Sequence, residues 1–332
     1  MHPDLAPGSG WGLLFCASIL LWRGRLEQAE PEQSVNQGWT YHDHIDKASQ
    51  DWTVLDYYTQ RYPHSSRSQW QQRIEAGQIL LNGAKTNLHQ RLQAGQRLTY
   101  DRCPWEEPEV PLSFAVLHED ADLLVVAKPS GLPVLPGGGF LQHTLLWQLQ
   151  QRYPQEMPYP IHRLGRGTSG LMLLARSPRA RASLSQQMRD RQIEKIYRTR
   201  AQGCTMPDRF TVTQAIGKVP YPILGYVYAA HPDGLSAQSD CRVVQRASDS
   251  SLLDVQILTG RPHQIRIHLA AAGFPLVGDS LYTIGGVPKT LNLSPDGELA
   301  VPGDCGYFLH AMRLRFRHPK GEEMTLTLPP IE

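Results

Sequence analysis

The stretch His162-Arg163-Leu164-Gly165-Arg166-Gly167-Thr168-Ser169-Gly170-Leu171, running on into Leu171–Ala175, organises the reading of this chain. It is a basic, Gly-rich loop that feeds directly into a short apolar strand. Loops held by strand ends are where reactive groups tend to sit. The loop has no lysine at the spacing G-x-x-x-x-G-K-[ST], so it is no P-loop. Ser169 is not framed as G-x-S-x-G, which removes the usual support for a serine hydrolase. Beyond the strand, Ser177-Pro178 supplies an N-cap and an N1 proline. The helix that follows carries Ala180, Leu184 and Met188 on one side.

Upstream of the loop, Leu123–Ala127 reads as a buried strand ended by Lys128-Pro129-Ser130-Gly131. Gly137-Gly138-Gly139 is a flexible loop, and Thr144–Tyr153 has helical spacing. Lys195–Thr199, Leu253–Ile257, Met312–Phe316 and Met324–Leu328 alternate as half-buried strands. His263–Ala272 is a short helix closed by Gly273. Strands are many, helices few and crossovers irregular, so the expected class is α+β around a largely antiparallel sheet. A second basic cluster, Thr259-Gly260-Arg261-Pro262-His263-Gln264-Ile265-Arg266, leaves a strand and enters that helix. Its guanidiniums and imidazole suit an anion or a buried carboxylate.

The 332 residues predict more than one domain. Residues 52–103 form a small unit. Ser66 or Ser68 caps a helix over Gln69–Ala76, Gly77 ends it, Ile79–Leu81 is a strand, and Asn82-Gly83 is a hairpin signal. Arg67, Arg73 and Lys85 are expected on one basic side. Residues 104–111, rich in proline and glutamate, read as a solvated linker, and 112–330 as the large module. The net charge of +2 names no partner, but its distribution does more. Residues 52–103 carry seven Lys/Arg against three Asp/Glu, 161–200 carry ten against two, and 104–160 between them carry two against seven. Two basic segments flanking an acidic one fit an anionic partner.

Cys16, Cys103, Cys204, Cys241 and Cys305 are scattered, with no zinc spacing, which fits reduced thiols in the cytoplasm and no structural metal. The apolar run Trp11–Trp22 is 12 residues, short of the roughly 20 that a membrane span needs. Its charges are reversed for a signal peptide, since Arg23 and Arg25 follow it. Residues 1–40 are therefore expected to be poorly ordered or an artefact of the start site, with Val35 as the true initiator; the alternative is a weak membrane-surface segment.

Two resemblances complete the reading. Residues 52–103 resemble an S4-like RNA-binding domain, through Ser66-Arg67-Ser68 before a helix, Ile74–Ile79, Asn82-Gly83 and Ala94-Gly95. From about 116 to 328 the chain resembles the RluA family of RNA pseudouridine synthases. Leu123–Gly131, His162–Ala175, Lys195-Ile196-Tyr197, Leu258–Ala270, Val277–Tyr282 and Leu309-His310-Ala311 match its motifs in order.

The resemblance implies an isomerase. Uracil is detached from ribose C1′ of a flipped uridine in structured RNA, ribosomal or transfer, then rotated and rejoined through C5, with no metal or organic cofactor. It also implies roles for particular residues. Arg163 fills the stack that the flipped base leaves, Tyr197 packs on the base, and Arg266, or else Arg261, pairs with the catalytic carboxylate. His162, Arg166, Thr168, Lys195, His263 and Gln264 are expected to contact RNA. The family's aspartate is Gly165 here. Glycine cannot act as nucleophile, base or ion-pair partner. Either another acid, with Glu156, Asp190 and Asp279 as candidates, or an RNA phosphate meets the arginine, or the pocket is open and wet. The alternative to an enzyme is an RNA-binding homologue that holds uridine without isomerising it. The basic surfaces need no second subunit, so a monomer is expected, away from any membrane.

Overall fold

The large module is built on a ten-stranded sheet. The computed structural model describes residues 35–222, 224–289 and 299–330. The run Trp11–Trp22, and all of the first 34 residues, lie outside the described residues. Along the sheet the strands follow the order Arg209–Val212, Ser239–Arg246, Ser250–Ile257, Glu194–Gln202, Leu309–Arg317, Ser169–Ala175, Leu123–Lys128 and Ala115–Glu119. Glu323–Thr327 adds to Leu309–Arg317, and Tyr159–Pro160 to Ser169–Ala175. All these pairings are antiparallel except the central joint, where His310 and Ala311 run parallel to Ser169 and Gly170. The expected α+β, largely antiparallel class is what the molecule has.

Both faces of the sheet are covered, which explains the continuous apolar runs. Alternate residues of Leu123–Val126 and Leu171–Leu174 enter different cores. Leu124, Val126, Met172 and Leu174 join the core under the helix Leu145–Arg152. Leu123, Val125, Leu171 and Leu173 join the one under the helix Pro178–Arg189. Gly170 is required at the parallel joint. Its φ is +110°, and a Cβ there would lie 2.3 Å from the Ala311 carbonyl oxygen. His310 bridges the joint, with its ring between Ser169 Oγ and the Leu328 carbonyl, 2.9 Å from each.

The small module has its own core, around the buried Trp70, Tyr58 and Leu98. Ser66, not Ser68, caps the helix Arg67–Glu75, reciprocally with Gln69. Asn82 and Gly83 both have positive φ between the strands Ile79–Leu81 and Ala84–Lys85, as a tight hairpin requires.

Two boundaries differ from expectation. Residues 35–40 are structured, and Trp39–His44 is a strand paired with Arg97–Arg102, so the module begins well before residue 52. Its mixed aromatic and polar residues hid it: none of the six side chains of this edge strand is buried, and Trp39 and Tyr41 are exposed. Nor is 104–111 solvated throughout. Glu107 is buried, and its carboxylate accepts from Leu141, Gln142 and His143 backbone N–H and from Asn36 Nδ2 at 2.7–2.9 Å. Burial pushes the Glu107 carboxyl up, but these four donors outweigh it and hold it below the usual value. A carboxylate that looked like linker polarity pins the N-terminal module's entry to the large one. Among the described residues no helix is long and apolar enough to cross a membrane.

Candidate active site

A cleft of about 580 Å³ opens where the loop His162–Thr168 meets the middle of the sheet. Five segments meet there: that loop, the end of the helix Pro178–Arg189 with Arg191 beyond it, the strand carrying Lys195 and Tyr197, the turn Leu258–Arg266, and Tyr307–Leu309.

The loop is stapled from below by Lys128-Pro129-Ser130-Gly131. The buried Lys128 ammonium donates to the carbonyls of Pro129, Leu132 and Arg166 at 2.7, 2.7 and 3.1 Å, which uses its three protons. Gly131 N–H also reaches the Arg166 carbonyl, and Ser130 Oγ reaches that of Gly167. Two segments separated by over thirty residues thus form one rigid floor.

Gly165 is exposed at the mouth and does not sit in the left-handed region. A Cβ there would lie 3.5 Å from Thr168 Oγ1 and 3.6 Å from Tyr307 Oη, ordinary contact distances. No backbone requirement explains the glycine. Gly167 is different, because a Cβ there would press to 3.0 Å on the Tyr307 phenol. The loop is cut back to admit that ring. Tyr307 was not anticipated; only its place just before Leu309-His310-Ala311 could have pointed to it. Burial raises its phenol, against the charge of Arg266 and the neighbouring Thr168 hydroxyl.

Arg266 is not left without a carboxylate. It forms a bidentate pair with Asp279, Nε to Oδ2 at 2.7 Å and Nη2 to Oδ1 at 2.8 Å, with both side chains buried. Nη1 donates to the Pro302 carbonyl, and the guanidinium lies 4.3 Å from the Tyr307 ring centroid. Burial pushes the Asp279 carboxyl up, but Arg266 more than offsets it, and Leu281 and Tyr282 N–H add to the pull. Asp279 is therefore the arginine's partner from beneath, not a replacement acid facing the cleft. Glu156 is exposed elsewhere, and Asp190 takes hydrogen bonds from Gln186 at the end of its helix. None of the three candidate acids lines the cleft.

Tyr197 faces the cleft from the sheet, almost fully buried; its hydroxyl has no hydrogen-bond partner among the described residues, and burial raises its pKa. His162, Arg163, Thr168, Lys195, Arg261, His263 and Gln264 also line it. Arg163 is exposed and meets no carboxylate among the described residues. Burial lowers Lys195, and burial with the Lys195 charge pushes His162 down to about 4. Gln264 is fully occupied internally: Thr259 Oγ1 and Arg261 N–H donate to its oxygen, and its amide donates to Gln238 O and Ser239 Oγ. Arg166 turns away, with Nε on the Gly303 carbonyl. Arg189 and Arg191, unforeseen, join the lining. Of the module residues, Arg67 pairs with Asp56 at 2.8 Å, Arg73 lies over Trp70, and Lys85 is exposed.

The cleft is cationic, with Tyr197 and Tyr307 in its lining, a combination that suits a flat, anionic ligand. Comparison with known proteins agrees. Residues 122–271 match the family model for RNA pseudouridylate synthase. A Synechocystis protein described as an uncharacterized RNA pseudouridine synthase is 53% identical over 280 residues, covering 83% of this chain and 94% of the relative. RNA pseudouridine synthase 5 of Arabidopsis thaliana is 38% identical, covering 91% and 95%. The solved structure of human RNA pseudouridylate synthase domain containing 1 superposes with a TM-score of 0.52 at 25% identity, over 68% of this chain and 86% of that one. The chain belongs to the RNA pseudouridine synthase family, isomerases that act on RNA.

Proposed function

We propose that the protein isomerises particular uridines of structured RNA, ribosomal or transfer, with the target nucleotide flipped into the cleft. The observation that carries this reading is the charge of the lining. Arg163, Arg189, Arg191, Lys195, Arg261 and Arg266 line the cleft beside Tyr197, and among the described residues no Asp or Glu does. Such a site suits a reaction in which uracil departs as an anion. When the C1′–N1 bond breaks, its electron pair goes to the base, and fixed cations in a partly buried cleft stabilise that charge. The base turns, C5 bonds to C1′, the C5 proton leaves and N1 takes one up. The product is an isomer, with nothing gained or lost.

In this reading Tyr197 supports the base and Arg163 fills the vacated stack. Arg266, tied to Asp279, acts as a positioning residue that holds Tyr307 against the loop. The small module grips RNA through Arg73, Lys85 and Arg67, by phosphate contacts that set register rather than sequence. The protein works as a monomer in the cytoplasm, without metal or organic cofactor. The test is to map pseudouridines in total RNA from cells with and without the gene. At least one site should disappear without it; an unchanged map overturns the proposal.

A further inference from the structure

The cleft is rich in donors. Its guanidinium and ammonium groups cannot accept a hydrogen bond. Uracil in RNA needs partners of both kinds: two carbonyls that accept, and an N3–H that donates. Cytosine reverses that edge, with a bare N3 and an amino group at C4. A flipped base is read on this edge.

Two imidazoles line the cleft, and hydrogen bonds fix the role of each. His162 Nε2 accepts from Leu173 N–H at 3.1 Å, so its lone pair is used. His263 is arranged the other way. Its Nδ1 lies 2.8 Å from Tyr282 Oη, and that hydroxyl donates its one proton to the Tyr228 carbonyl at 2.7 Å. Nδ1 must therefore donate to Tyr282, and the lone pair is on Nε2. Nε2 has no partner among the described residues. Burial, then the charge of Arg266 and that of Arg163, against the opposing pull of Asp279, push this imidazole down to about 3. It stays neutral, an acceptor at Nε2, through the physiological range.

The backbone adds an independent sign. His263 has φ 54° and ψ 21°, left-handed in a residue that is not glycine. Glycine or asparagine would adopt it at less cost, and such strain persists where the side chain is needed.

We infer that His263 Nε2 accepts the N3–H of the flipped uracil and thereby selects uridine over cytidine. This rests on the pseudouridine synthase reading and adds to it the residue that reads the base. Cytosine would set its N3 lone pair against that of Nε2, leaving both desolvated and unpaired.

The test uses the full chain and His263→Asn. Asparagine tolerates the left-handed backbone, its amide can still donate to Tyr282, and it has nothing in place of Nε2. Binding of oligouridylate, oligocytidylate and oligo(N3-methyluridylate) is measured at one salt concentration, with thermal unfolding as a control for folding. The native protein should favour uridylate over both others by roughly tenfold or more. In His263→Asn that ratio should fall to within about twofold, with cytidylate affinity unchanged. A native protein without the preference, or a variant that keeps it, overturns the inference. Pseudouridine formation, measured on RNA from cells lacking the gene, separates the two readings. A native protein that prefers uridylate through His263 but forms no pseudouridine supports the base-reading role and overturns the enzymatic one. Should the variant not fold, ¹⁵N resonances of the native imidazole decide: Nε2 must shift with oligouridylate and not with oligocytidylate.

Discussion

The small module and the cleft are both arginine-rich, but their charges are arranged differently. In the module, Arg67 is neutralised by Asp56, and Arg73 lies 4.5 Å over Trp70 with a hydrogen bond to Ser65. In the cleft, five of the six cations meet no carboxylate within 4 Å among the described residues, and the sixth, Arg266, is anchored from beneath by Asp279. Similar composition therefore gives one surface whose cations also serve the module's own packing and one whose cations remain open to a ligand. Net charge per segment cannot distinguish the two, because it counts charges without their partners.

The largest effect is expected where the buried Arg266–Asp279 pair is broken. Asp279→Asn keeps the shape and leaves a buried guanidinium uncompensated, so stability should fall by roughly 3–5 kcal/mol in urea unfolding. A loss under about 1 kcal/mol would mean that solvent or the Pro302 carbonyl compensates Arg266, and the cleft would then resemble the module.

Next in size is Gly165→Asp. The space is ordinary, the backbone is not left-handed, and among the described residues no acid in the cleft opposes a new one, so the variant should fold normally. Its carboxylate would stand near the Thr168 and Tyr307 hydroxyls. Pseudouridine formation should rise by roughly 10²-fold, the scale of a well-placed acid–base group. An unchanged rate would show that the cations carry the reaction by themselves.

The smallest effect compares the regions directly. Arg191→Ala and Arg261→Ala should each reduce the slope of log K against log salt by roughly 0.7–0.9, one phosphate contact each. Arg67→Ala, already paired, should change it by less than half as much. Equal changes in both regions would remove the distinction.

Much of this was legible in the residues. A cap at Ser66 or Ser68, the Asn82-Gly83 hairpin, the strands flanking Gly165 and the ordered motifs are local, since neighbouring residues encode them through backbone preference and alternation. Family membership followed from the same order, and so did the position of Gly165. The strand Trp39–His44 was missed because none of its side chains is buried, so its aromatic and polar residues mark no core face. Glu107 was misread because polarity suggests solvent until the donors around it are known.

By itself the sequence determined which groups are present and in what order: a basic loop without its aspartate, a tyrosine on a strand, a histidine before a helix. Only the tertiary structure decided what each group faces. It gave Arg266 to Asp279, turned Arg166 and Gln264 inward, put Tyr307 against the loop, and left Nε2 of His263 open. The reason is physical. A cap or a turn depends on atoms a few residues away, whereas the partner of a charge or the tautomer of a ring depends on whatever the fold brings within about 3 Å.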